Sequence, residues 1–136
     1  MVGEFEQARG DDGVLPLFGD SSGGIHSDDP RRRRVGAGFC SITFDPEAGT
    51  WSFEGGMVGG VPARQTVPRA ELLAFALALE ASRGNIVFYT DNRGPFLAWR
   101  ARRHVKPLGL NGDLWARIKK ALSSRGAHGP EEVQVE

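Results

Sequence analysis

The sequence predicts an α/β fold in which helices pack on a mixed β-sheet. Three observations support this class. Short apolar runs separated by turn-forming residues fill the N-terminal half, an alanine- and leucine-rich helical segment follows at residues 70–81, and another strand-like run comes directly after it at residues 85–91. A strand, a helix and a strand in succession imply parallel pairing, because parallel neighbours need a crossover connection.

Length and composition fit one domain with its own core. The chain has 136 residues, of which 17 are basic, 17 are acidic and 40% are hydrophobic. A chain of this size buries roughly two thirds of its surface on folding. Residues 1–13 are polar and without periodicity, so we interpret them as a flexible leader or linker and residues 14–136 as the domain.

Cysteine usage and hydropathy bear on the compartment. Cys40 is the single cysteine, which excludes an intramolecular disulfide. No apolar run approaches the ~18 residues that a membrane span needs. We therefore expect an intracellular protein, cytoplasmic or nuclear, without membrane attachment.

The first three strands are predicted from short apolar runs bounded by turns. Residues 14–20 form an apolar run that ends at Asp20, and residues 35–44 and 50–57 form a hairpin around a turn at 45–49. Glycines are frequent in this hairpin, which indicates bulges or close backbone approach.

The central helix and the strand after it are both predicted to be buried. Residues 70–81 contain strong helix formers with almost no charge, and Pro68 suits the first turn. Gly84 ends the helix. Residues 85–91 then form a continuous apolar strand of the kind found at the centre of a sheet, ending at Asp91.

The C-terminal part is predicted to contain two or more helices and a last strand. Residues 93–106 are basic and helical, residues 107–112 interrupt them, and residues 113–125 form a helix with one apolar face. Residues 131–136 alternate as a strand does.

Charge is unevenly distributed although the net charge is zero. Residues 1–29 carry seven acidic groups against Arg9, so the remainder carries +6. Residues 93–125 hold nine Lys or Arg side chains and one acid, Asp113. This pattern is typical of a surface that faces nucleic acid, and it also fits solvated helix faces.

Three carboxylates are predicted to converge at one edge of the sheet. Asp20 ends the first strand, Glu71 opens the buried helix, and Asp91 ends the strand after that helix. The carboxyl ends of parallel strands line the ligand crevice of such sheets. Clustered acids repel one another unless a divalent cation compensates, and all-oxygen ligation favours Mg²⁺ or Mn²⁺. Alternatively, Asp20 and Asp91 simply start turns.

Several motifs resemble those of the ribonuclease H family. Residues 17–22 (LFGDSS), 65–74 (QTVPRAELLA) and 87–92 (VFYTDN) are similar to its three active-site motifs, although Ser21 stands where the family often has glycine. Residues 111–115 (NGDLW) resemble the start of its long helix. The resemblance therefore extends from about Val14 to Glu136.

The resemblance implies a ribonuclease H-like sheet of five strands, three antiparallel and then parallel, and a nuclease active site. Asp20, Glu71 and Asp91 would be the catalytic residues and the ligands of two Mg²⁺ or Mn²⁺ ions, with Asp20 between both ions. The implied activity is that of an endonuclease that hydrolyses the RNA strand of RNA–DNA hybrids by a two-metal mechanism.

The resemblance also implies that the domain is incomplete at its C-terminus. The family has a histidine-bearing loop and a fourth carboxylate on a terminal helix, and no residue here matches either. We therefore expect the C-terminal helix to be missing and this chain to be weakly active or inactive alone. The expected partners are an RNA–DNA hybrid and the rest of a reverse transcriptase polypeptide. The alternative is a non-catalytic ribonuclease H-like domain that binds nucleic acid or packs within a larger polypeptide.

Further residues are predicted to contact the substrate. Trp99 either stacks on a sugar or base or packs in the core. The arginines at 31–34 either bind phosphate or are solvated. The histidines at 26, 104 and 128 are expected at the surface. The complete set of predicted substrate-binding residues is Ser21, Ser22, Thr66, Arg69, Asn92, Trp99, Arg100, Arg102 and Arg103.

Overall fold

A computed structural model describes residues 3–22, 35–64, 66–107, 109–125 and 133–135. Five strands and three α-helices follow a short 3-10 helix at Gly3–Ala8. In chain order they are β1 (Leu15–Ser22), β2 (Gly36–Asp45), β3 (Thr50–Gly60), α1 (Val67–Ala81), β4 (Ile86–Tyr89), α2 (Arg93–Arg100), α3 (Gly112–Arg125) and β5 (Val133–Val135).

The strands form one mixed sheet in the order β3-β2-β1-β4-β5. Strands β1, β2 and β3 pair antiparallel, while β4 pairs parallel with both β1 and β5. Helix α1 is the crossover between the antiparallel hairpin and the parallel strand β4. The predicted class is therefore confirmed: three antiparallel strands, then parallel strands, with helices packed on the sheet.

Glycine sets the bend of the β2–β3 hairpin. The register shifts between Ser41 and Ile42, and Gly55, opposite Ser41, has a φ of 144°. Such a φ is readily available only to glycine, and it lets the longer strand accommodate one extra residue. The bulge predicted from the glycine-rich strands is thus present.

Several element ends differ from the prediction. Strand β1 continues to Ser22, two residues beyond Asp20, and β3 continues to Gly60. Strand β4 ends at Tyr89, so Asp91 lies two residues beyond it. Helix α2 ends at Arg100 rather than continuing to residue 106, and Arg102 has a φ of 59°. A residue in the left-handed region stops the helical hydrogen-bond ladder, which explains the early end.

The core is organised around α1, which packs on β1 and β2 and in turn contacts α2 and α3. Residues 69–79 of this helix are all buried, as the scarcity of charge predicts. The Phe75 ring packs against Phe88 of β4 and Trp99 of α2, with centroids 5.0 and 5.2 Å apart. Because four of the buried positions are alanine, neighbouring backbones approach closely on several sides.

The first described residues, which lie in the predicted leader, contact the sheet. They form the 3-10 helix, which packs on the β2–β3 hairpin and buries Ala8. Arg9 pairs with Glu6 and donates from Nη1 to the Asn85 carbonyl at 3.0 Å, so this segment is tied to the start of β4. The boundary of the domain at residue 14 stays a prediction.

Two basic side chains of α3 serve the fold and reduce the basic surface expected there. Arg125 is buried, and its guanidinium donates to the carbonyls of Leu79 and Ser82 at 3.0 and 2.7 Å. Arg117 forms two hydrogen bonds to the Glu80 carboxylate, at 2.6 and 2.7 Å. The ends of α1 and α3 are therefore joined by charge-assisted hydrogen bonds.

Within the described ranges, no helix combines the length and apolar character needed to cross a bilayer.

Candidate active site

Three carboxylates meet at one edge of the sheet, as the sequence predicts. Asp20, Glu71 and Asp91 each offer one oxygen, and these oxygens lie within 4.8 Å of one another. The two aspartates are exposed, whereas Glu71 is only 3% exposed. Helix α1 begins at Val67 with Pro68 in its first turn, so Glu71 is the fifth residue of the helix.

The register of the parallel strands brings the two aspartates to the same level. Phe18 of β1 pairs with Tyr89 of β4, and their rings stack at 5.0 Å. Asp20 and Asp91 each follow their member of this pair by two residues. Gly19 makes room for the neighbouring strand, since a Cβ there would lie 2.2 Å from Cζ of Phe88.

Neutral donors hold the carboxylates in the site. The Ser21 backbone N–H donates to Asp20 Oδ1 at 2.8 Å, and the Ser21 hydroxyl donates to Glu71 Oε1 at 2.7 Å. The Thr90 hydroxyl donates to Glu71 Oε2 at 3.2 Å and accepts from the Asn92 backbone N–H at 3.1 Å. Both oxygens of Glu71 therefore have a hydroxyl partner.

Burial and mutual repulsion affect protonation in the site. Burial raises the pKa of Glu71, the hydrogen bonds from Ser21 and Thr90 oppose that rise, and the charges of Asp91 and Asp20 add to it. Burial also raises the pKa of the nearby Cys40 thiol, and the charge of Asp20 raises it further. Both effects disfavour the thiolate form of Cys40.

The site suits a hard divalent cation. Its donors are all oxygens, and among the described residues no lysine, arginine or histidine forms an ion pair with Asp20, Glu71 or Asp91. Three ionised carboxylates would leave an uncompensated charge of about −3 in a space less than 5 Å across. Oxygen ligands with this charge match the preference of Mg²⁺ and Mn²⁺.

An open apolar groove borders the cluster. It has a volume of about 870 Å³ and extends from Phe18, Asp20 and Ser21 across the glycine-rich hairpin. Phe53 and Val58 line it and are 65% and 90% exposed.

Arg69, predicted to contact the substrate, forms hydrogen bonds within the protein. Its side chain is buried, and its guanidinium forms a two-bonded ion pair with Asp113 at the start of α3. The same guanidinium donates to the Pro62 carbonyl at 2.8 Å and to Asn111 Oδ1 at 3.3 Å. These four hydrogen bonds compete with a contact to phosphate, and the substrate contact of Arg69 stays a prediction.

Of the two alternatives for Trp99, the structure favours core packing. The indole meets Phe75 edge-on and stacks with the His104 imidazole at 4.4 Å. His104 is half-buried rather than at the surface, and burial lowers its pKa, with the charges of Arg102 and Lys119 lowering it further. The Trp99 and His104 rings therefore pack against each other within the protein.

The other predicted substrate residues differ in exposure and in their partners. Arg100 and Arg102 are exposed, while Arg103 is half-buried and donates to the Leu110 carbonyl at 3.1 Å. Asn92 caps α2 by accepting from the Gly94 N–H at 2.9 Å, and Thr66 is the N-cap residue of α1. The Ser22 side chain, His26, His128 and the arginines at 31–34 lie outside the described residues.

Sequence reasoning did not identify Thr90 as part of the site. Its position directly before Asp91 is a usable signal, because a hydroxyl at the end of a central strand faces the same crevice as the carboxylate. The Arg69–Asp113 pair was also missed. A lone arginine at the start of an otherwise apolar helix needs an acid partner, and Asp113 is the one acid between residues 93 and 125.

The fold is similar to those of solved ribonuclease H domains. The prototype foamy virus domain aligns with a TM-score of 0.61 at 17% identity, over 89% of this chain and 76% of that one. Ribonuclease H1 from Halobacterium salinarum aligns with a TM-score of 0.55 at 17% identity, over 91% and 84%. A foamy viral protease-reverse transcriptase solved with an RNA/DNA hybrid aligns with a TM-score of 0.55 at 14% identity, over 90% of this chain and 16% of that one.

Comparison with protein-family models and with curated proteins gives no match. The strand order, the crossover helix and the similarity to solved structures agree with the resemblance found in the sequence motifs. The chain therefore has the fold of the ribonuclease H family.

Proposed function

We propose that this chain is a divalent-metal-dependent endonuclease that hydrolyses the RNA strand of RNA–DNA hybrids. The observation that carries the proposal is the cluster of Asp20, Glu71 and Asp91, whose oxygens lie within 4.8 Å of one another in a ribonuclease H fold. This activity would need ligands for cations and groups that hold those ligands in place. It would also need a surface that binds the polyanion and open access to the scissile bond.

The three carboxylates would hold Mg²⁺ or Mn²⁺, two ions in a complete site. When bound, such ions supply an activated water and neutralise charge at the scissile phosphate. The protein would orient these ligands. Asp20 and Asp91 are exposed and accessible to a phosphate, while Glu71 is buried on helix α1. No side-chain nucleophile is needed, in agreement with the raised pKa of the Cys40 thiol.

The basic side chains after Asp91 would hold the nucleic acid. Helix α2 starts two residues beyond Asp91. The exposed basic side chains here are Arg93 and Arg100 on the helix and Arg102 after it. The foamy viral protease-reverse transcriptase has been solved with dsDNA and with an RNA/DNA hybrid, which supports a nucleic-acid substrate and the rest of a reverse transcriptase as partner. Arginines placed beside a catalytic cluster position a duplex through its phosphates.

Cleavage of a labelled hybrid tests the proposal directly. Since this chain is expected to be weakly active alone, we expect slow cutting of the RNA strand in Mg²⁺ or Mn²⁺ and none in EDTA, with the same RNA left intact when single-stranded. Hybrid binding without any metal-dependent cleavage would instead support the alternative of a non-catalytic binding domain. Neither binding nor cleavage would contradict both.

The salt dependence of hybrid binding tests the basic surface. Replacing Arg100, Arg102 and Arg103 by alanine should lower the slope of log affinity against log salt by about 2, since each lost phosphate contact removes ~0.9 and Arg103 is partly engaged within the protein. Binding is measured in EDTA to prevent cleavage. Arg83→Ala, an exposed arginine beyond the far end of α1, is the matched control and should keep the wild-type slope. An unchanged slope in the triple variant would mean that the segment is only a solvated face.

A further inference from the structure

Two hydroxyl groups grip the Glu71 carboxylate, one on each oxygen. The Ser21 hydroxyl donates to Oε1 at 2.7 Å and the Thr90 hydroxyl donates to Oε2 at 3.2 Å. Ser21 follows Asp20 in β1, and Thr90 precedes Asp91 after β4. Each donor is therefore the chain neighbour of another carboxylate of the cluster.

This arrangement fixes Glu71 and still leaves room for a ligand. A carboxylate accepts about four hydrogen bonds, so one hydroxyl on each oxygen leaves roughly half of its acceptor capacity free. Glu71 sits on a different element from its two donors, and the pair of bonds ties the start of α1 to the ends of β1 and β4. A side chain held at both oxygens has little freedom to rotate about its terminal bond.

The donors are neutral, and that property matters for a cation site. An arginine or lysine would fix Glu71 equally well but would cancel the negative charge that attracts a cation. A hydroxyl orients the carboxylate and leaves its charge in place. Groups that orient metal ligands in this way typically change metal affinity by about 10- to 100-fold when they are removed.

Ser21 acts on two of the three carboxylates. Its backbone N–H holds Asp20 Oδ1 at 2.8 Å while its hydroxyl holds Glu71. The one hydrogen of that hydroxyl is used on Glu71, so it is not available for donation to a ribose 2′-hydroxyl at the same time. The Ser21 hydroxyl therefore serves the cluster in this structure, and the substrate contact expected of Ser21 from the sequence stays a prediction.

We propose that Ser21 and Thr90 are positioning residues that hold the Glu71 carboxylate in the orientation required to bind a divalent cation. The proposal rests on the proposed metal-dependent function and adds the groups that prepare the site. It concerns residues of this chain before any cation arrives, so cation binding can be measured without substrate.

Calorimetric titration of the full chain with Mn²⁺ provides the test. Ser21→Ala and Thr90→Val should each weaken Mn²⁺ binding by about 10-fold, because Glu71 then has one unrestrained oxygen. Ser21→Thr and Thr90→Ser keep the hydroxyl and should restore affinity. In hybrid cleavage at saturating Mn²⁺, kcat should fall while KM for the hybrid stays the same, since neither side chain would bind substrate.

The chain offers a matched control at the other end of the sheet. The Thr43 hydroxyl donates to Glu54 Oε1 at 2.6 Å, which is the same kind of bond away from the cluster. Thr43→Val should change thermal stability by an amount similar to Thr90→Val and leave Mn²⁺ affinity unchanged. Far-UV circular dichroism reports whether each variant is folded, and if one site variant is unfolded the other carries the test.

The outcomes separate this proposal from the proposed function. Folded Ser21→Ala and Thr90→Val variants that bind Mn²⁺ as the wild type does would overturn the positioning role and leave the nuclease proposal intact. Wild-type Mn²⁺ binding without hybrid cleavage would contradict the nuclease activity, and the variants would still decide the positioning role by affinity. A wild-type chain that binds no Mn²⁺ would overturn both.

Discussion

Two charged side chains two residues apart on α1 have opposite surroundings. Arg69 and Glu71 are both buried near the start of the helix, 4% and 3% exposed. Arg69 meets a carboxylate of opposite charge on Asp113, together with two neutral acceptors. Glu71 meets two neutral hydroxyls and, within 4.8 Å, two further carboxylates of its own charge.

The difference indicates which charge serves the fold and which serves chemistry. Burying a charge is costly unless it is paired, so the Arg69–Asp113 pair is what stability alone favours. At Glu71 the same helix carries a charge that its surroundings orient but do not neutralise, and burial, together with the charges of Asp91 and Asp20, raises the pKa of the group. A protein gains nothing in stability from such an arrangement, and this supports the proposal that Glu71 serves cation binding.

The largest effect is expected on activity when one cluster charge is removed. Asp91→Asn should lower hybrid cleavage by at least about 100-fold, roughly 3 kcal/mol of transition-state stabilisation, since one anionic ligand is lost. Single-turnover cleavage in Mg²⁺ measures the change. Asp11→Asn, which removes an exposed carboxylate from a turn outside the cluster, should retain wild-type activity.

The same variant should not be destabilised when metal is absent. The charge of Asp91 contributes to the raised pKa of Glu71, so removing it relieves repulsion in the folded state. The unfolding midpoint of Asp91→Asn in EDTA should therefore equal or exceed that of the wild type. A clear decrease would show that Asp91 holds the fold together and would remove the contrast with Arg69.

The next largest effect is expected on the free energy of unfolding when the Arg69–Asp113 ion pair is broken. Arg69→Met keeps most of the aliphatic volume and leaves the acceptors at Pro62 and Asp113 without their donor, which should lower the free energy of unfolding by about 2 kcal/mol. Urea denaturation measures the loss. Arg64→Met, an exposed arginine just before α1, is the control and should change stability by less than about 0.5 kcal/mol. A loss at Arg69 no larger than at Arg64 would contradict the structural role.

Much of the fold and the identity of the three acids follow from local sequence patterns. The burial of α1 is visible in its lack of charge, and Asp20 and Asp91 are visible as carboxylates at the ends of apolar strands. The predicted parallel pairing then places both aspartates at one edge, because the carboxyl ends of parallel strands coincide. These features depend on residues close together in the chain.

The features that sequence did not predict depend on how distant elements meet. Arg69 pairs with Asp113 across 44 residues, and this ion pair is visible only once the position of α3 on α1 is known. Trp99 was ambiguous for the same reason, since its neighbours Phe75 and His104 come from the packing of α1 and the turn after α2. The Thr90 bond to Glu71 joins a strand end to a helix, and periodicity carries no information about such a contact.

The smallest effect is the pH dependence of the contribution of Asp113 to the free energy of unfolding. It is also the sharpest test of the Arg69–Asp113 ion pair. The hydrogen bonds and charge of Arg69 lower the pKa of Asp113 from 3.8 to about 2. A carboxylate with a lowered pKa stabilises the folded state above its unfolded pKa, and this stability is lost as pH falls through the folded value. The advantage of wild type over Asp113→Asn should thus be complete above about pH 4 and should disappear toward pH 2. Because the Asp113 side chain is 60% exposed, solvent screening should keep the advantage below about 1 kcal/mol. Urea denaturation of both proteins at closely spaced pH values gives the difference, in which the titration of all other carboxylates cancels. A gap that stays constant from pH 6 to pH 2 would mean that Asp113 acts only as a neutral hydrogen-bond acceptor, and the contrast between a neutralised Arg69 and an uncompensated Glu71 would then rest on Glu71 alone.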